Sequence, residues 1–221
     1  TDGMGILSIT NGKLTAESIS EPNKLIIANS TVISGRINAN TVELQSGSLT
    51  VREPVYKSEY TNEFFASYAI SCKELTVSGG MLDAAWDWGE YAPSVLPADS
   101  YWGYAQPLIK ILNGTASFGG GTVILDTGCA GNTALKAGTL NLSGGVRGSG
   151  YTNEDGRDFY KQTDGATPVK FTVYPADYSK VDKAIKKANA LNKDDYKDFS
   201  AVEAAVNAVA RGKNLDEQAA V

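Results

Sequence analysis

The sequence contains no histidine. That removes the commonest general base, the commonest transition-metal ligand and the usual switch of charge near neutral pH. Only two cysteines occur, Cys72 and Cys129. They form no C-x-x-C pair and no metal-type cluster. Each sits beside an apolar run, so buried free thiols are expected rather than a disulfide. No run of 18 apolar residues is present, which argues against a membrane span within this segment. No signal-peptide pattern is visible. Charge is sparse as well, with 20% charged residues and a net charge of −5. No basic stripe exists to displace counterions from phosphate, which argues against a nucleic-acid partner. A mildly acidic surface is compatible with neutral glycans or with calcium.

What the chain has in quantity is glycine, 23 among 221 residues. The glycines punctuate a recurring phrase of alternating apolar residues, clearest in Leu75-Thr76-Val77-Ser78-Gly79-Gly80-Met81-Leu82-Asp83-Ala84. Aligned on Gly80, the phrase recurs at Gly12, Gly35, Gly47, Gly121, Gly138 and Gly145. Period-two alternation on both sides of a glycine predicts strand, tight bend, strand. No copy can bury its apolar face alone, so the copies must stack. The 23 residues from Gly12 to Gly35 suggest one coil, and the 12 from Gly35 to Gly47 suggest more than one corner per coil. The expected fold is mainly β: a right-handed parallel β-helix, or solenoid, over residues 1–174. Its hand follows the general preference of parallel crossovers.

Two stretches break the rhythm. Residues 52–71 carry Tyr56, Tyr60, Phe64, Phe65 and Tyr68, and residues 85–107 hold all three tryptophans. Beyond Pro175 the period changes to about 3.6. Val181, Ala184, Ile185, Ala188 and Leu191 form one helical stripe, and Phe199, Val202, Val206 and Val209 another. Asp177 or Ser179 is placed to cap the first helix, and Ser200 with Glu203 has capping-box spacing for the second. Residues 175–221 therefore read as a short α-helical module. Thr1 stands almost inside a repeat and Val221 inside a helical pattern, so the chain is expected to be a piece of something longer.

Residues 177–185, Asp177-Tyr178-Ser179-Lys180-Val181-Asp182-Lys183-Ala184-Ile185, together with 188–196, 202–206 and 212–215, resemble the FIVAR module. Such modules occur in extracellular and cell-wall-attached proteins of Gram-positive bacteria, often beside sugar-active or sugar-binding domains. The resemblance implies a partial module whose third helix is incomplete, attached to further domains of the same chain. The glycine phrase looks like the β-helix regions of large bacterial surface proteins, some of them carbohydrate-binding. Together the two resemblances imply an extracellular or cell-wall location and no particular reaction.

The candidate site lies in the second interruption. Trp86, Trp88, Tyr91, Tyr101, Trp102 and Tyr104 could offer flat faces to the C–H faces of a polysaccharide or surface glycan, with Asp87 and Glu90 accepting hydroxyl hydrogens. The other reading is a satellite core closed under a loop. Asp83, Asp87 and Asp99 are hard-oxygen candidates for calcium, against solvated loop acids. No catalytic residue is assigned. A polysaccharide lyase would draw on Arg147, Arg157 and Lys161 beside Asp155 and Asp158, and a glycoside hydrolase fragment would instead need two carboxylates facing across a groove. The favoured function is non-catalytic carbohydrate binding or adhesion, with a structural stalk as its first rival.

Overall fold

A computed structural model describes residues 4–60, 63–89, 91, 102–142, 150–154, 156–163, 167–173, 176–195 and 198–209. In chain order the first strands are β1 (Met4–Thr10), β2 (Lys13–Ser20), β3 (Pro22–Ala28), β4 (Ser30–Asn38), β5 (Thr41–Leu44) and β6 (Gly47–Pro54). The middle of the chain forms β7 (Tyr56–Lys57), β8 (Phe64–Ala66), β9 (Ile70–Val77), β10 (Met81–Asp87), β11 (Trp102–Ala105), β12 (Ile109–Phe118) and β13 (Gly121–Asp126). The last strands are β14 (Thr133–Ala137), β15 (Thr139–Leu142), β16 (Tyr151–Glu154), β17 (Arg157–Lys161) and β18 (Val169–Val173). Two helices follow, α1 (Ser179–Asn189) and α2 (Ser200–Asn207). The chain is thus mainly β, as the alternation predicts.

Fifteen of the strands share one sheet, built as ladders that the chain visits in turn. The first ladder runs β1, β3, β5, then the second halves of β9 and β12, then β15, all parallel. The second runs β2, β4, β6, β10, β13, also parallel. A third joins the end of β4 to the starts of β9 and β12 and on to β14. The register stacks like on like. Leu25, Val42, Leu75, Ala116 and Leu140 form one column, and Val32, Leu49, Leu82, Val123 and Phe171 another. All ten are buried. Each aliphatic side chain so buried contributes about 1.5–3 kcal/mol, and the columns are what hold the coils together.

The sheet is mixed. β18 runs antiparallel to β13, and β17 antiparallel to both β14 and β16. Only two residues join β16 to β17, and a connection that short can make only an antiparallel hairpin.

The corner between the first two ladders explains the glycine phrase. Gly47, Gly80 and Gly121 lie one above another there, with φ of +88°, +82° and +92°. A Cβ on Gly80 would stand 2.4 Å from the Gly47 carbonyl oxygen. Ser30 holds the same corner one coil earlier, its hydroxyl accepting from the Gly12 N–H and donating to the Ala28 carbonyl. The glycine alignment therefore skips a layer at Ser30, and Gly35 belongs elsewhere, inside β4. Lys13 pairs with Thr31, and Thr31 with Ser48, so successive strands of this ladder are offset by 18 and 17 residues, against the 23 expected from Gly12 and Gly35. The next two steps, Ser48 to Met81 and Met81 to Thr122, are longer because each absorbs one of the interruptions.

Neither helix has a buried residue. The N-cap of α1 is Tyr178, with no side-chain capping bond, and neither Asp177 nor Ser179 takes that place; Asp177 accepts from the Ser179 N–H in the turn just before the helix. At α2 the expected capping box is replaced: Asp198 accepts from the Ser200 N–H, and Glu203 pairs with Lys193.

Candidate functional site

The two interruptions meet. β7 and β8 from the first and β11 from the second form a separate three-stranded sheet. β7 and β8 pair antiparallel, with Tyr56 opposite Phe65 and Lys57 opposite Phe64. β8 and β11 pair parallel, with Trp102 beside Phe64 and Tyr104 beside Phe65. Strand alternation then sorts the aromatics by face. Phe64 and Ala66 are buried, and Phe65 between them is 37% exposed. Its cross-strand neighbour Tyr56 is 59% exposed, and Tyr60, just beyond β7, is 96% exposed. Tyr104 occupies the same cross-strand row by register.

The inner face of this sheet closes on the tryptophans expected to contact sugar. Trp86 and Trp88 are both buried. The Trp86 indole N–H donates to the Ser67 carbonyl at 3.0 Å, and that of Trp88 to the Thr127 carbonyl at 3.2 Å. The Phe64 ring lies 6.0 Å from Trp88 and 5.6 Å from Tyr91, the latter edge to face. Tyr91 is half-buried against the core. Trp86 and Trp88 are thus part of the same core as the stacked strands, with Tyr91 packed against it, rather than of a separate core under a loop. The signal was present in the sequence. Leu82, Ala84 and Trp86 alternate inward along β10 and Trp88 just after it keeps the same parity, so the strand runs three residues into the expected interruption, to Asp87.

The acids have local tasks. Asp83 pairs with Arg52 on the neighbouring coil at 2.6 Å. Asp87 is exposed, and its carboxylate accepts from the Gly89 N–H at 3.0 Å. Among the described residues no three acidic or thiol side chains come together as a metal site. Glu90, Asp99 and Tyr101 lie outside the described residues, and Trp102 and Tyr104 are known as strand positions only. Of the groups considered for catalysis, Asp158 is buried and accepts from the Leu140 N–H, the Tyr151 hydroxyl and the Asn153 amide. That is the bonding of a structural carboxylate. Arg157 is exposed, and Arg147 and Asp155 lie outside the described residues.

Both thiols are free. Burial pushes Cys72 up to about 12 and Cys129 up to about 11, with Glu74 and Asp126 adding to the respective shifts. Neither is the lowered-pKa thiolate that nucleophilic chemistry uses.

Comparison with protein-family models, with curated proteins and with solved structures gave no match. The reading of the site therefore stands on its geometry and on the sequence.

Proposed function

We propose that this chain is a non-catalytic carbohydrate-binding segment of an extracellular or cell-wall-attached protein, and that the outer face of the small sheet is its contact surface. The observation that carries this reading is the pair Tyr56 and Phe65, directly opposed across two strands and both open to solvent. Flat rings held side by side on a sheet suit the apolar faces of successive sugars, and Tyr hydroxyls add a hydrogen-bonding rim. Tyr104 holds the next position across from Phe65 by register, and Tyr60 is exposed in the turn after β7. The polysaccharide-binding role, first placed on Trp86 and Trp88, thus moves to the opposite face of the same aromatic cluster. The coils are the scaffold, and we take them to wind as a right-handed parallel β-helix closed by antiparallel strands. The helices after residue 175 are, on their resemblance to FIVAR modules, a link to further domains of a Gram-positive surface protein.

Affinity electrophoresis through gels containing neutral or acidic polysaccharides, with calcium or with chelator, tests the proposal. The wild-type protein is retarded by at least one polysaccharide. Tyr56→Ala and Phe65→Ala migrate as in an empty gel, with unchanged urea midpoints. Variants retarded as strongly as the wild type would remove the small sheet as the site.

One second reading has its own observation. The apolar columns run unbroken through five layers, which is what a stiff stalk needs and more than a small binding face requires. If no polysaccharide retards the wild-type protein, the stalk reading takes its place.

A further inference from the structure

β12 turns the corner between Ile111 and Thr115 with three residues, where β9 passes from Cys72 to Glu74 with one. The added length makes a bulge, and bulges re-aim side chains. Leu112 and Asn113 are both exposed, and Asn113 takes a φ of +55° that few side chains other than asparagine adopt. Beside the bulge lies an open depression of about 280 Å³, lined by Lys110, Leu112, Asn113, Lys136, Gly138 and Arg157.

Its cations stand together by register. Lys110 of β12 is the direct neighbour of Lys136 of β14, and strands pair about 4.8 Å apart. Arg157 lies on the outward side of β17 with Phe159, which pairs with Lys136. Like charges side by side on neighbouring strands are destabilising. The fold holds them there nonetheless. The Lys110 ammonium donates to the Tyr68 hydroxyl at 2.8 Å and lies 4.7 Å from that ring's centre, and the Lys136 ammonium lies 5.3 Å from the centre of the Phe159 ring. Ring faces position an ammonium without cancelling its charge. Among the described residues no carboxylate comes within ion-pair distance of Lys110, Lys136 or Arg157. The one acid on β12, β14 and β17 is Asp158, which faces the core with its oxygens already accepting. Glu154 lies opposite Arg157 by register on β16, one acid against three bases.

We propose that this corner is a second binding site, for an oxyanion (carboxylate, sulfate or phosphate) carried on an acidic polysaccharide. An anion between Lys110 and Lys136 removes their repulsion. The Arg157 fork takes two of its oxygens. Leu112 gives the sugar ring an apolar edge. Three charges are few for tracking a nucleic-acid backbone. No residue lining the depression belongs to the small sheet, so the anion site stands apart from the Tyr56 and Phe65 face. Only the choice of a sugar as carrier rests on the function proposed above.

Affinity electrophoresis through plain dextran and through dextran carrying carboxymethyl, sulfate or phosphate groups decides the matter, with circular dichroism of each variant. At least one charged dextran retards the wild type more than plain dextran does, and added salt removes the difference. Lys136→Gln and Arg157→Gln each weaken that charge-dependent retention about tenfold with unchanged spectra. Lys170→Gln, the same loss of charge at an exposed position of β18, leaves it as in the wild type. So does Tyr56→Ala, whose effect falls on neutral polysaccharides alone. A wild type that no charged dextran retards beyond plain dextran would overturn the proposal. So would retention indifferent to both Lys136→Gln and Arg157→Gln, or Lys170→Gln weakening it as much as Lys136→Gln. Inorganic sulfate or phosphate that displaces the charged dextran at equal anion concentration would assign the corner to a free ion and overturn the polysaccharide as its ligand.

Discussion

At the residue scale, Gly80 shows why the corner admits no side chain. Its φ is +82°, and a methyl group there would meet the Gly47 backbone oxygen at 2.4 Å and nitrogen at 2.9 Å. Both atoms are main chain and cannot swing aside. Gly80→Ala therefore costs the left-handed backbone penalty plus displacement of a whole coil, together about 2–4 kcal/mol. A urea titration should show the midpoint falling with little change in slope. The thiols make a second residue-scale case. Cys72 is held neutral by burial, with its pKa pushed up to about 12 from an ordinary value of 9.0. An unfolded chain ionises this thiol first, so its contribution to stability is complete below pH 9 and is lost as pH rises toward 12. Stability measured across that window should fall less steeply in Cys72→Ala than in the wild type. Ellman's reagent at neutral pH should react with the half-buried Cys129 before Cys72, which reacts only as the coil opens.

At the element scale, the strands and helices differ in what supports them. β4, β6, β10 and β12 each have neighbours on two sides and buried side chains at alternate positions. α1 and α2 have none buried, and an isolated pair of such short helices is marginal. Neither has a side-chain capping bond, but Asp177 and Asp198 each accept from the serine that opens the helix. Hydrogen bonds from the backbone N–H and hydroxyl of Ser179 hold the Asp177 carboxyl below its ordinary 3.8, and the hydroxyl and N–H of Ser200 do the same for Asp198. A lowered carboxylate stabilises above the unfolded value and loses that contribution as pH falls through the folded one. The helical circular dichroism should accordingly fade below pH 3.8 while the strand signal persists. Hydrogen exchange at neutral pH should release α1 and α2 amides well before those of β6 and β10.

How far these elements were legible from sequence depends on what each signal measures. Alternation reports which side chains face inward, and it located nearly every strand of the stack. Glycine reports only a corner that cannot hold a Cβ. Ser30 fills one such corner by turning its hydroxyl onto the Ala28 carbonyl, so a glycine count lost a layer and lengthened the coil to 23 residues. The tryptophans show the converse. Loss of glycine after Gly80 looked like loss of strand, although Trp86 and Trp88 keep the inward parity of Leu82 and Ala84. The pairing of β8 with β11 could not be read locally at all. Residues 64–66 and 102–105 are far apart in sequence, and nothing but the stacking of two lengthened coils brings them together.

The whole molecule divides its labour between two sheets. The large sheet supplies a scaffold of stacked apolar columns, and the two interruptions supply one small sheet with a buried aromatic face and an exposed one. Trp86, on β10, is buried next to this sheet with its indole bonded to the Ser67 carbonyl, and Phe65 stands on the exposed face, so their replacement should separate stability from binding. Trp86→Ala empties a buried site and should cost about 3–5 kcal/mol. Phe65→Ala should change stability little. The direct test is polysaccharide retention of both variants, measured where each is still folded by circular dichroism. The account predicts that Trp86→Ala remains retarded like the wild type and that Phe65→Ala does not. Retention lost with Trp86→Ala and kept with Phe65→Ala would contradict it.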